Sequence, residues 1–436
     1  MTDEEKEPLT NESRGRRFRR TVLADITPLQ QSRDFRRLFF SGLISIIGTQ
    51  MTMIVLFLQI YAITKSNFAV GLASAFAFVP MVIGGLYGGS VADARDRRLL
   101  AFWSTAALTG VSLVFAGLAY AEVRTVWPLY ILFVFQSWFA AIAQPTRMAI
   151  IPRLIPPEQL PAANALAQIA QNLGFTLGPV IGASLAVGFG FGWAYLIDAL
   201  SFVYALYAYW RLPSLPPDDA GHRAGVKSVV EGLGYLKSRT NLAMTFYVDI
   251  VAMVFGMQRA LFAAIPLAFY GAITTQVAWF NVGIAGLLAG AGAFGAVLGA
   301  VGSGWITRVR RQGLAVVLSI VAWGLAIAAF GLTGNLWIGL VFLAVAGAAD
   351  MVSAVFRLTI LQASTPDALR GRLQGVLIAV VVGGPLLGDL RAGAVADLVS
   401  LRFAVVSGGL LCIVGVALLC LRYPGFLRYD SWNPVP

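Results

Sequence analysis

The chain has 436 residues, 58% of them hydrophobic and only 12% charged, with a mean hydropathy of +0.77. So much apolar surface cannot be buried inside a soluble domain, so the composition excludes that class and places the chain in a lipid bilayer. The net charge of +11 does not call for a nucleic-acid partner, because no basic stripe with interleaved stacking aromatics accompanies it.

Residues 1–37 are polar and basic and lack the apolar core of a cleavable signal, which predicts a cytoplasmic N-terminal tail able to touch anionic lipid heads. Six apolar runs follow, at Leu38–Ala62, Phe68–Ala92, Leu99–Tyr120, Trp127–Ile150, Ala162–Val187 and Phe189–Trp210. After a polar linker come six more, at Leu242–Tyr270, Val277–Ile306, Leu314–Leu332, Leu336–Leu361, Leu373–Leu398 and Phe403–Tyr423. Each is long enough to cross the ~30 Å hydrocarbon core as a helix, and none shows the strict alternation of a membrane barrel. The expectation is an all-α membrane protein of twelve transmembrane helices in two six-helix pseudo-symmetric halves, residues 38–211 and 242–423. The linker is 212–241 and the C-terminal tail 424–436. Within the linker, Val226, Val229, Val230, Leu233 and Leu236 share one helical face, which predicts an interfacial helix.

Topology follows from charge. With both termini inside, all Lys and Arg except Lys65, Arg124, Arg259, Arg391 and Arg402 are assigned to the cytoplasmic side, as the positive-inside rule requires. The expected location is the inner, cytoplasmic membrane.

Two motifs and an internal echo stand out. Gly89-Ser-Val-Ala-Asp93-Ala-Arg-Asp-Arg97-Arg98 joins helices 2 and 3 as a short charged loop. Gly174, Gly178, Pro179 and Gly182 punctuate helix 5, and Gly384, Pro385 and Gly388 repeat that pattern in helix 11. The first motif resembles the loop signature of the major facilitator superfamily, and the second resembles the glycine-proline motif of its antiporters. Asp34-Phe-Arg-Arg-Leu-Phe-Phe, Glu231-Gly-Leu-Gly-Tyr-Leu-Lys and Thr365-Pro-Asp-Ala-Leu-Arg-Gly-Arg-Leu narrow the resemblance to the enterobactin-exporter and macrolide-efflux branch. The resemblance implies a secondary exporter of a small amphipathic organic compound, a siderophore or macrolide-like drug, working by proton antiport and alternating access. The alternatives are an importer or facilitator of a small organic solute, or a sensor on the same fold. It also implies that Gly89, Asp93, Arg97, Arg98 and Arg147 form a cytoplasmic gate, with Asp93 accepting hydrogen bonds from Arg97, Arg147 or the start of helix 11.

Other chemistries find little support. Gly290-Ala-Gly-Ala-Phe-Gly295 matches a dinucleotide fingerprint in letters but lies inside an apolar helix with no strand before it. The sole histidine, His222, has no neighbouring Cys or His, and Cys412 and Cys420 share one helix eight residues apart. No cofactor, metal or enzymatic activity is expected, and a monomer is expected to suffice.

Function therefore rests on polar residues within the spans, where charge is costly unless paired or wet. The family's cavity helices are 1, 4, 7 and 10, which makes Asp249 and Asp350 the leading proton-coupling candidates, with Asp389 next. An ion pair of Asp350 with Arg357, or of Asp389 with a nearby arginine, is the structural alternative, and Asp198 in helix 6 is read as structural. Gln50, Gln59, Gln136, Trp138, Phe139, Gln144 and Arg357 are the candidates for lining a substrate cavity.

Overall fold

The computed structural model describes residues 26–216, 234–236, 239–274, 278–302, 306, 309–365 and 367–430. Within them, 85–94, 161, 165, 272–274, 278–282, 362, 367–379 and 382 are described by their backbone alone. Most of the N-terminal tail, His222 and most of the expected interfacial helix lie outside the described residues.

Twelve apolar spans organise the described chain. The first six are α1 (Arg33–Thr64), α2 (Asn67–Ala94), α3 (Arg97–Tyr120), α4 (Trp127–Leu154), α5 (Leu160–Phe189) and α6 (Phe191–Arg211). They are followed by α7 (Thr240–Gly256), α8 (Ala278–Val301), α9 (Gln312–Leu332), α10 (Leu336–Ser364), α11 (Asp367–Leu398) and α12 (Leu401–Arg422). Eleven spans meet a strict length-and-hydropathy criterion; α11 carries more charge but has the same length as α1. Trp103, Trp127, Trp210 and Trp337 stand exposed near helix ends, the positions that interfacial anchors occupy in a bilayer. The linker joins α6 to α7, so the end of the bundle that carries it is called the linker end here.

Local chemistry sets several boundaries differently from the apolar runs. Helix α1 begins at Arg33 rather than Leu38 because the Ser32 hydroxyl accepts from the Phe35 N–H at 3.1 Å and caps it. The expected loop from Gly89 to Arg98 is mostly helical: α2 runs to Ala94, so Gly89 and Asp93 are helix residues and the turn is Arg95–Asp96. Asp96 closes that turn. Its carboxylate caps α3 through the Arg98 N–H at 2.8 Å and also accepts from the Ser214 hydroxyl at 2.6 Å and the Leu215 N–H at 3.3 Å. Partial burial alone would raise its pKa, but these hydrogen bonds to the ionised form outweigh it and hold the carboxyl below its usual range. The tie is therefore intact at neutral pH and is lost only as the pH falls below about 4. Arg98 donates to the Tyr209 and Trp210 carbonyls at 3.1 and 2.7 Å, capping α6.

The seventh span, expected as one helix, is broken. Helix α7 stops at Gly256, a 3₁₀ turn covers Arg259–Ala263, and a second short helix runs Ile265–Thr274. At the break the Ala260 N–H donates to the Asp389 carboxylate at 3.0 Å instead of to the helix ladder. The C-terminal segment is also structured: Phe426 is buried in the second half's core, and Arg310 pairs with Asp430 at 2.8 Å.

Small residues let the helices approach. Gly174, Gly178 and Gly182 of α5 lie against Ile46, Gln50 and Met51 of α1, while Gly384 and Gly388 of α11 lie against Met253 of α7. The two motifs thus occupy equivalent places in the two halves. Between halves, α2 packs on α11 and α5 on α8. Gly71 abuts the Asp389 carbonyl, Gly393 the Asn67 carbonyl, and Gly286 and Gly290 the Pro179 and Thr176 carbonyls.

At Gly178 an added methyl would lie 2.6 Å from Gln50 Cβ and 2.8 Å from the Ile47 carbonyl oxygen, whereas at Gly110 it would meet nothing within 4 Å. Gly178→Ala is expected to destabilise the protein by about 1–3 kcal/mol through overpacking. Gly110→Ala is expected to be neutral or to gain about 0.5–1 kcal/mol. Thermal unfolding in detergent, wild type beside both variants, checks the ordering.

Candidate translocation site

Helices α2, α5, α8 and α11 carry the main contacts between halves.

In the second half, one arginine serves two acids. Arg357 of α10 pairs with Asp249 of α7, and its second amino group lies 3.7 Å from Asp350 Oδ1. Asp350 and Arg357 are seven residues apart, so they share a face of α10. Asp249 and Arg357 are buried and Asp350 is partly exposed. Asp249 Oδ2 has no hydrogen-bond partner among the described residues. Two carboxylates and one guanidinium leave a negative charge uncompensated unless the cluster takes up a proton. Arg357, expected to line a cavity or to pair with Asp350, holds both acids.

In the first half, Gln144 and Met148 of α4 and Asn164, Ala167, Gln168 and Gln171 of α5 line a cleft of about 290 Å³. Its walls are mostly uncharged amides, able to donate and accept. Gln168 Nε2 donates to Asn172 Oδ1 at 3.1 Å, and Gln171 Oε1 is without a partner among the described residues. Helix rise places these residues roughly 6–17 Å from the linker end of α5. The α5 amides were not anticipated from sequence, although the spacing 164, 168, 171, 172 is a one-sided polar stripe on an otherwise apolar helix.

Of the residues expected at a cavity, Gln144 stands at this cleft. Gln59 is buried and accepts from the Tyr195 hydroxyl of α6 at 2.7 Å. Gln136 is buried, and Gln50 packs on Gly178. Trp138 lies over Gly84 of α2, and Phe139 is half-buried. Apolar-run counting locates a helix but not its rotation, so these partners are not read from the sequence.

Among the expected gate residues, Arg147 packs against Gly42 of α1 in an apolar crevice with Phe35, Leu38 and Ile151. Arg97 Nη1 donates to the Ala149 carbonyl at 3.4 Å. The side chain of Asp93 and those at the start of α11 lie outside the described residues.

At the end opposite the linker, carboxylates of α11 join the halves. Asp389 pairs with Arg259 at 3.4 Å, not with Arg391, and accepts from Ser74 of α2 at 3.3 Å. Asp397 accepts from the Ser66 hydroxyl at 2.5 Å, the Asn67 and Phe68 N–H groups at 3.0 Å and the Asn67 amide at 2.9 Å. A residue of the second half thus caps the first turn of α2. Asp397→Ala is expected to loosen this end by about 1 kcal/mol after solvent screening, a roughly fivefold shift toward separated halves. Distances between spin labels on α2 near Asn67 and on α11 near Leu398 would lengthen or broaden; an unchanged distribution would refute the latch.

A paired six-plus-six helical bundle with polar clusters between its halves defines a secondary-transporter fold of the major facilitator type. The chain belongs to the transmembrane secretion effector family of that superfamily, whose model matches residues 23–431. It is 28% identical over 421 residues to an enterobactin exporter of Citrobacter koseri, covering 96% of this chain and 98% of that one. It is 29% identical over 401 residues to an enterobactin exporter of Escherichia coli, covering 91% and 94%. In fold it is similar to the nucleoside transporter NupG (TM-score 0.70, 13% identity, 92% of this chain and 100% of that one). A bacterial homologue of the human lysosomal transporter Spinster, in an inward-facing and unoccupied conformation, matches with TM-score 0.69 and 16% identity over 92% and 98%. The chain is a multi-pass membrane transporter, not an enzyme.

Proposed function

We propose that this protein is a proton-coupled exporter of a small amphipathic organic compound, a siderophore or a macrolide-like drug, in the inner membrane. The observation that carries the reading is the cluster of Asp249, Asp350 and Arg357 on α7 and α10, helices that the family resemblance makes cavity-lining. Two acids sharing one fixed cation can hold one proton at modest cost and release it when the surroundings change. The direction of transport rests on similarity to the enterobactin exporters.

Alternating access would use the two ends in turn. The Asp389 and Asp397 contacts hold the end opposite the linker, and the amide-lined cleft lies toward the linker end, where an amphipathic compound would enter from the cytoplasm. Asp93, on the last turns of α2, would take its part in closing that end during the outward-open state.

In inside-out vesicles with an acid interior, wild-type protein should drive substrate uptake. Asp350→Asn and Asp249→Asn should each lose at least about tenfold of the driven rate while keeping downhill substrate-for-substrate exchange, which needs no net proton movement. Full driven transport in both variants would overturn the coupling assignment.

Both termini, the linker and the turn after α2 are placed in the cytoplasm. Cysteines at Lys65, Arg124 and Thr333 should then react with an impermeant label in intact cells, and cysteines at Ser214 and Arg310 should not. The reverse pattern would invert the topology and with it the direction of transport.

A further inference from the structure

Asp198 of α6 is fully buried, and the polar groups at its carboxylate are hydroxyls. Thr52 Oγ1 of α1 donates to Oδ2 at 2.7 Å and Ser112 Oγ of α3 at 2.8 Å. Ser201 Oγ lies 3.5 Å from Oδ1 while donating to the Asp198 carbonyl at 2.7 Å. Gly48 of α1 closes the remaining side, since a methyl there would strike both Oδ1 and Ser201 Oγ.

The surroundings set this carboxylate apart from Asp249 and Asp389, each of which has an arginine. The charged residues of α1 nearest in sequence are Arg36 and Arg37, those of α3 are Arg97 and Arg98, and that of α6 is Arg211. All lie toward the linker end, ~20 Å along their helices from Thr52, Ser112 and Asp198. Arg147 and Arg153 of α4 lie toward that end too, and α5 carries no charged residue. Tyr195, one turn earlier on α6, is the nearest titratable neighbour, and it donates its hydroxyl to Gln59. Tyr61 and Tyr120 are eight or more residues from the cage along α1 and α3.

We propose that Asp198 is a proton-binding site within the first half, separate from the Arg357 cluster. In its ionised form the carboxylate receives the hydroxyl protons of Thr52 and Ser112. On protonation an O–H forms on the carboxyl, and one hydroxyl turns to accept from it, because a hydroxyl is both donor and acceptor. The cage serves both forms without a counter-charge, and a proton bound there alters the contact between α1 and α6 directly. This site does not depend on the direction of transport or on the substrate.

Infrared difference spectroscopy of the full chain in lipid, recorded along a pH titration, tests it. The expected result is a protonated-carboxyl component that grows as the pH falls, is lost in Asp198→Asn and persists in Asp249→Asn, beside the separate component of the Arg357 cluster. Ser112→Ala removes a donor to the ionised form, so the midpoint should rise by about one to two pH units. If Asp198→Asn fails to fold, the Ser112→Ala midpoint decides alone. An unchanged band in Asp198→Asn overturns the proposal, as does a Ser112→Ala midpoint that stays put or falls. A carboxyl signal moved by sodium at constant pH would make the site a cation site instead and equally overturn it.

Discussion

A carboxylate inside an apolar helical bundle must find its donors or its counter-charge within the protein, and much of this structure is arranged around that requirement. Among the described residues three acids are fully buried, and each meets it differently. Asp249 takes an arginine from a neighbouring helix of its own half. Asp389 takes an arginine and a backbone N–H from the seventh span and a hydroxyl from the other half. Asp198 takes hydroxyls alone. The consequences differ with the partner: a shared arginine ties two helices, a cross-half partner ties two bundles, and a hydroxyl cage leaves the charge state open.

These polar arrangements depend on how closely the helices approach. The glycines of α5 and α11 bring α1 and α7 to backbone contact, which fixes which residues of those helices face inward. Gly48 illustrates the linkage, since only a residue without a side chain lets α1 sit against both Asp198 and Ser201. In a bilayer the hydrophobic effect does little to drive helix against helix, so small-residue packing and interhelical hydrogen bonds carry association. The broken seventh span follows the same logic, because backbone groups freed from the helix ladder must be satisfied by a neighbour, and Asp389 does so.

The span number, the two-half organisation and the family were legible from apolar run length and two short motifs, since these depend on local composition. Helix ends were less so. Capping by Ser32 and Asp96 is a side-chain decision that a hydropathy window does not see, and the helical continuation through Asp93 and Ala94 ran past the apolar run. Least legible was rotation about each helix axis. Gln59 and Gln144 look alike in sequence, yet one bonds inside its bundle to Tyr195 and the other stands at a cleft. The partner of Asp389 was likewise out of reach, since Arg259 is 130 residues away while Arg391 is two. Residues two apart on a helix point to different sides, so Arg391 is not placed to pair with Asp389.

The distribution of charge along α11 gives the fold its asymmetry. Asp389 and Asp397 are eight residues apart, about two helical turns, and both reach across to the first half near the end opposite the linker. Asp397 is exposed and caps a helix, so water competes for each of its bonds and its hold is weak and reversible. Asp389 is dry, and parting the halves there would strip one of its donors while leaving the arginine in place. The inner contact therefore keeps its charge balanced whether or not the halves touch, and the outer one exchanges protein donors for water. An interface built in this way can separate without stranding an unpaired buried charge, as a bundle that opens at alternate ends requires.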